Sequence, residues 1–317
     1  MKAVLAYMRF LLAVAGAMAA LSISSSVFAV DRMPSPIRIA IEVQHGDWGA
    51  ARTEDIQTVL TRVADVLLPY FPQHASNKVL VTFSGQGPRV LFDKSSDGAY
   101  RVLLNVQDAR WDQFAYQFSH ELCHIFTNYE QRKIDRDTII GNHQWFEETL
   151  CEALSIFALN RVASSWENSP PYPYWRNYAS AFREYAQRLL SEKHRYLPPD
   201  KSIEEWYAEN QEALEGNPYL RQKNELLARW LLPLIENTPA DLEAIGYLNR
   251  EKSSSPESFQ AYLESWYSCC PEGARDFIRR VMLLFKDDER NSKVVAAVAA
   301  EVPTYASQHQ RSPAHKY

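Results

Sequence analysis

His120-Glu121-Leu122-Cys123-His124 is the stretch on which the reading of this chain turns. In a helix, side chains four positions apart leave the same face about one turn apart, so one nitrogen from each imidazole can converge on a single ion. Glu121 sits about 100° round such a helix from His120. It is therefore free of the ligand role and placed to take a proton from a water. Two histidines at this spacing with a carboxylate beside the first are the residues that metal-dependent hydrolysis requires. The plain alternative is a chance match in a solvated helix.

Downstream, Gly141-Asn142-His143-Gln144 is polar, and Trp145-Phe146-Glu147-Glu148-Thr149-Leu150-Cys151-Glu152-Ala153-Leu154 carries apolar and acidic residues at helical spacing. Glu148 and Glu152 share a face, whereas Glu147 is rotated away from Glu148 by one residue step, toward the side of Phe146 and Leu150. Upstream, Ile37 to Val43 reads as a strand. Thr53 to Leu68 reads as a helix with Ile56, Val59, Leu60, Val63 and Leu67 on one side, closed by Pro69 and Pro72. Val79 to Phe83 is a strand, Gly85-Gln86-Gly87-Pro88 a turn, and Val90 to Phe92 the candidate partner of that strand. Asp97-Gly98 marks a turn before the stronger strand Tyr100 to Val106. Asp108 or Asp112 is expected to cap the next helix, which sends Phe114, Phe118, Leu122 and Ile125 into the core. As an exposed edge, Tyr100 to Val106 would pair with an extended peptide; the alternative is an ordinary protected edge.

After Val162, Pro170, Pro171 and Pro173 with Tyr172, Tyr174 and Trp175 mark a connection expected to cross the cleft. Helices are expected over Tyr178–Leu190, Ile203–Leu214, Asn224–Leu234, Pro239–Asn249, Pro256–Tyr267 and Gly273–Phe285, then a weak helix and polar tail. The fold class is α+β: a small mixed β-sheet packed on the two motif helices, followed by a mainly α-helical C-terminal region. The expected divisions are a secretory signal over residues 1–29, an α+β region over 30–165, a helical region over 166–290 and a tail over 291–317. No repeat period and no glycine-rich nucleotide fingerprint is present.

Lys2 and Arg9 precede the apolar run Phe10 to Leu21, and Val27-Phe28-Ala29 follows, in the order of a secretory signal cleaved after Ala29. The apolar core is shorter than the roughly 20 residues of a bilayer span. Export to the periplasm or the medium is therefore expected, with no stable membrane span in the mature chain; a retained anchor is the alternative. Losing Lys2 and Arg9 takes the formal net charge of the 317-residue chain from -5 to -7, which argues against a nucleic-acid partner. Four cysteines, Cys123, Cys151, Cys269 and Cys270, then remain in a compartment that permits disulfides. Cys123 and Cys151 are expected to lie close, either as a bridge across the two motif helices or as two small buried side chains.

The two motif segments together resemble the gluzincin branch of zinc metallopeptidases, whose second active-site helix often reads W-[FL]-x-E-G-x-[AS]-E. The resemblance covers about residues 100 to 165. It implies Zn2+ held by His120, His124 and Glu148, with Glu121 as general base and Glu152 as the acid that hydrogen-bonds a ligand imidazole, that of His120. It also implies a peptide or protein substrate. Two departures stand out. Thr149 replaces the glycine usual after the third ligand, and no G-x-M-E-N segment lies between Ser84 and Trp111, which weakens an aminopeptidase assignment. Glu147 and His143 are the rival ligands. Tyr172, Tyr174, Tyr219 and His194 are candidate donors to a developing oxyanion, none distinguished among 17 tyrosines. Two other functions remain open: an exported noncatalytic binding or scaffold protein, and zinc hydrolysis of a non-peptide ester or amide bond.

Overall fold

The structure is a computed structural model that describes residues 38–132, 143–250 and 258–285. The secretory segment read over 1–29, the residues Gly141 and Asn142, and the tail over 291–317 lie outside the described residues. No described helix is long and apolar enough to cross a membrane.

Four strands form one mixed sheet in the order β1-β2-β4-β3: β1 (Ala40–Val43), β2 (Lys78–Phe83), β3 (Arg89–Leu91) and β4 (Tyr100–Leu104). β1 runs parallel to β2 and β2 parallel to β4, while β3 runs antiparallel to β4 with Val90 opposite Val102. The first parallel crossover is made by helix α1 (Thr53–Leu67), whose Ile56, Val59, Leu60, Val63 and Leu67 are all fully buried.

Two strand expectations need correcting. Val90 does not partner the Val79–Phe83 strand, because β1 and β4 take both sides of β2. Tyr100 to Leu104 is not an edge: it lies between β2 and β3, with Val102 and Leu104 fully buried. The edge strands are β1 and β3.

Helix α2 (Trp111–Phe126) follows the sheet and buries Phe114, Phe118, Leu122 and Ile125, as its periodicity predicts. Neither Asp108 nor Asp112 caps it. Its N-cap position is Arg110, without a side-chain cap. Asp108, at a φ of 62°, instead accepts the N–H of Ala50 at 2.9 Å, and Asp112 accepts the Tyr178 hydroxyl at 3.2 Å. Gly49 faces the Asp108 carboxylate at a φ of 63°, where a Cβ would collide with it.

Helix α3 (Gln144–Asn168) is 25 residues long and buried on nearly every side through Leu159, the pattern of a helix at the centre of a core. The boundary expected near residue 165 falls inside it. The Pro173–Tyr178 turn does not cross the cleft; its Trp175 stacks on Trp166 of α3 at 5.3 Å and 13° and packs against Trp111. Helices α4 (Ala179–Leu190), α5 (Ile203–Gly216), α6 (Arg221–Asn237), α7 (Phe259–Cys269) and α8 (Arg275–Leu284) complete the described chain. Pro239–Tyr247 winds as a 3₁₀ helix where an ordinary helix was expected. Pro233, inside α6, was no barrier to helix continuation to Asn237.

Candidate metal centre

Helices α2 and α3 bring together His120, His124 and Glu148, one ligand atom from each lying within 4.8 Å of the others. Glu148 Oε2 stands 3.2 Å from His120 Nε2 and 3.5 Å from His124 Nε2. Donors about 2.0–2.1 Å from a tetrahedral zinc are separated from one another by roughly 3.3–3.4 Å. The two nitrogens and one oxygen therefore fit zinc in kind and in spacing. This buried cluster, with Glu147 and Glu148 downstream, matches an HExxH-type zinc-binding motif with a following glutamate, as in gluzincin peptidases.

Glu147 and Glu148 face opposite sides of His124. Glu147, fully buried, holds His124 Nδ1 at 2.6 Å, which fixes Nε2 as the nitrogen turned toward Glu148. Glu147 is itself held by an ion pair with Arg132 at 3.0 Å and by Asn249, whose Nδ2 donates to Oε2 at 2.8 Å. Asn249 adopts a φ of 56° and also accepts the Tyr262 hydroxyl.

Glu152 is not the partner of a ligand imidazole. It accepts the Tyr116 hydroxyl at 2.5 Å and pairs with Arg195 at 2.8 Å. The role expected of Glu152 belongs to Glu147, and it acts on His124 instead of His120. The reason is geometric: Tyr116 precedes His120 by one turn on the same face of α2 and stands opposite Glu152, one turn beyond Glu148 on α3.

Burial opposes the charged forms throughout the site, and close partners overcome it. Burial pulls the His124 pKa down, but the Glu148 charge and the hydrogen bonds its ring donates to both glutamates hold it well above its usual value. His120 is likewise raised, chiefly by its bond to Glu148 against burial. Burial would raise Glu148, yet the His124 charge and its bonds to both imidazoles hold it well below the ordinary carboxylate range. Glu121 differs. Burial raises its pKa, and the neighbouring imidazoles only partly counter this. The backbone N–H of Val90, on the edge strand, points to its carboxylate.

A cavity of about 350 Å³ opens on the triad, walled on one side by Pro88, Arg89, Val90 and Phe92 and on the other by Tyr116, Tyr219 and Arg221. The rival ligand His143 lies at the start of α3 against Phe259 and Tyr262, ring centroids 5.5 and 5.1 Å away. Of the candidate oxyanion donors, only Tyr219 lines this cavity; Gln144 Nε2 donates to its hydroxyl at 2.8 Å and lies 3.3 Å from Glu148 Oε1. Tyr172 lines a different depression with Arg38 and Thr53, and Tyr174 stacks on Tyr172. His194 is bound to Glu225 at 2.5 Å. Glu192, His194 and Glu225 also lie close enough to share an ion. Arg195 and Arg221 already occupy Glu225 at 3.3 and 2.6 Å, however, and two guanidiniums there oppose a cation.

Thr149 faces the core: it is fully buried and its hydroxyl donates to the Trp145 carbonyl at 2.8 Å. Cys123 and Cys151 are buried, unbridged and in side-chain contact with each other, the second of the two expected arrangements. Sequence reasoning missed Tyr116, Arg132, Gln144, Arg195 and Asn249. Of these Tyr116 and Gln144 carried a local signal, each standing four residues before a triad residue, His120 and Glu148. No protein-family model matches the chain, and no curated protein matches it.

Proposed function

We propose that this protein is a zinc-dependent peptidase, on the observation that His120 Nε2, His124 Nε2 and Glu148 Oε2 converge at zinc-ligand spacing on an open cavity beside Glu121. His120, His124 and Glu148 would hold zinc with a net positive charge, which would polarise a carbonyl and make a nearby water more acidic. Glu121 accepts the proton as that water attacks and delivers it to the departing amine. Burial raises its pKa in the metal-free site. Glu147 keeps the His124 ring in the orientation and tautomer that leave Nε2 available.

The position of β3 supports a peptide substrate. Arg89–Leu91 is an edge strand that forms a wall of the cavity, so an extended segment can lie along it and across the triad, sharing the Val90 N–H with the Glu121 carboxylate. Export, and hence action on envelope or extracellular peptides, is proposed on the residue 1–29 pattern alone.

Metal content and peptide cleavage of the wild type, Glu121→Gln and Glu148→Ala test the reading. Glu121→Gln is expected to keep zinc and lose turnover by about 10²–10⁴-fold; Glu148→Ala is expected to lose the metal. Equal turnover in Glu121→Gln would remove the general base. A zinc-loaded wild type that cleaves esters or non-peptide amides and no peptide would move the substrate class.

A further inference from the structure

The cavity extends past the triad into a second polar layer, one helical turn away on both helices: Tyr116 before His120 and Glu152 after Glu148. A turn is about 5.4 Å and an extended peptide advances about 3.3–3.6 Å per residue. The layer therefore lies within one to two residues of a bond placed at the triad.

The hydrogen-bonding capacity of this layer is unevenly used. Glu152 accepts the Tyr116 hydroxyl and is ion-paired with Arg195, and the oxygens of Glu225 are engaged by Arg195, Arg221 and His194, while Glu152 Oε1 and Arg195 Nη1 and Nη2, enclosed between the carboxylates, make no hydrogen bond among the described residues. Arg195 is fully buried between the two carboxylates. Arg221 is engaged through Nε alone, at 2.6 Å from Glu225, and its side chain is 71 % exposed. Among the described residues no partner is found for its Nη1 or Nη2. Asn224 Oδ1, buried in the same wall without a partner, is an acceptor, but it offers no charge to a cation.

From this imbalance we infer that Arg221 binds a substrate carboxylate within one or two residues of the bond positioned at the triad. The carboxylate is either an aspartate or glutamate side chain or the terminal carboxylate of a short peptide. Both present the planar pair of oxygens that a guanidinium edge takes bidentately. A basic substrate group finds no free carboxylate here. Glu225 orients Arg221 through Nε, and Arg195 and Arg221 together balance the charges of Glu152 and Glu225, so the arriving anion meets the open Nη donors of Arg221. The inference rests on the peptidase reading for its role in turnover, but not for its binding.

In the test, zinc-loaded full-length wild type and Arg221→Gln are given a mixed peptide library with free or amidated C termini, and cleaved bonds are mapped by mass spectrometry. Wild type should prefer a carboxylate near the cleaved bond by about tenfold, the scale of one charge-assisted pair, and Arg221→Gln should lose that preference. Preference surviving amidation identifies a side chain; preference lost on amidation identifies the terminus. Arg221→Lys, which keeps a charge without the fork, should fall between and serves if the glutamine variant does not fold. In parallel, equilibrium binding of a glutamate tripeptide and its amidated glutamine counterpart is measured on zinc-loaded Glu121→Gln with and without Arg221→Gln. Carboxylate-selective binding that needs Arg221, without cleavage of any peptide, would keep the inference and remove the peptidase reading. Cleavage with no carboxylate preference, or a preference unchanged in Arg221→Gln, would overturn the inference and leave the peptidase reading standing.

Discussion

Two glutamate–arginine networks flank the triad, and they differ in what they hold. Behind His124, Glu147 is pinned by Arg132 and Asn249 and spends one oxygen on a ligand imidazole. Beside the triad, Glu152 and Glu225 share the buried Arg195 and touch no ligand. Both networks are built from glutamate and arginine and are anchored on α3 five residues apart, at Glu147 and Glu152. The difference shows that a carboxylate's place in the fold, and not its distance in sequence from the motif, decides whether it orients an imidazole of the triad or supports a wall.

Removing Arg195 breaks the comparison on its structural side. Arg195→Met would strand two buried carboxylates, and unfolding in urea should show a loss of about 3–5 kcal/mol, with zinc affinity of the folded protein changed only slightly. Glu147→Gln should do the reverse: competition with a chelator should show zinc affinity lowered by about 10–100-fold, with a smaller loss of stability. If the two variants lose stability and affinity in the same proportion, the division between the networks fails.

Proton linkage sharpens the comparison. In the metal-free protein the raised pKa of His124 contributes stability that is complete below its ordinary value of 6.5 and is lost as pH rises through the raised value. Zinc requires the neutral ring, so binding releases a proton. The rise in melting temperature on adding zinc should therefore grow with pH above 6.5. The buried His74, whose pKa burial pulls down to about 4, loses stability as pH falls below 6.5, but it does so with and without metal and cancels from the difference. Calorimetry in two buffers of different ionisation enthalpy should show the proton release directly. Glu152→Gln should leave that release unchanged, because Glu152 contacts neither imidazole. The smallest effect is expected at Thr149: Thr149→Gly should cost about 1–2 kcal/mol through the lower helix propensity of glycine and the small void left at a buried position, with turnover unaltered because the side chain faces away from the cavity.

What was legible in the sequence was what short-range periodicity encodes. The i, i+4 spacing places His120 and His124 on one face of α2, and the single-residue rotation separates Glu148 from Glu147. The burial of Phe114, Phe118, Leu122 and Ile125 followed from the same period. The α+β class followed from strand-like runs ahead of a helical remainder. Partners fixed by topology were not legible. That β3 joins β4 and leaves β2 depends on a crossover that no local pattern records. Glu152 meets Arg195 from a 3₁₀ turn, and Glu147 meets Asn249 from beyond another. Proximity of Glu152 to Glu148 on one face was a sound inference; its target was decided by Tyr116 across the helix pair.

Anomalous diffraction at the zinc edge from crystals of the metal-loaded protein shows whether α2 and α3 hold one zinc through three named atoms. The expected result is a single strong peak about 2 Å from His120 Nε2, His124 Nε2 and a Glu148 oxygen. A peak between Glu192, His194 and Glu225, or none near His120 and His124 at full zinc loading, would contradict it.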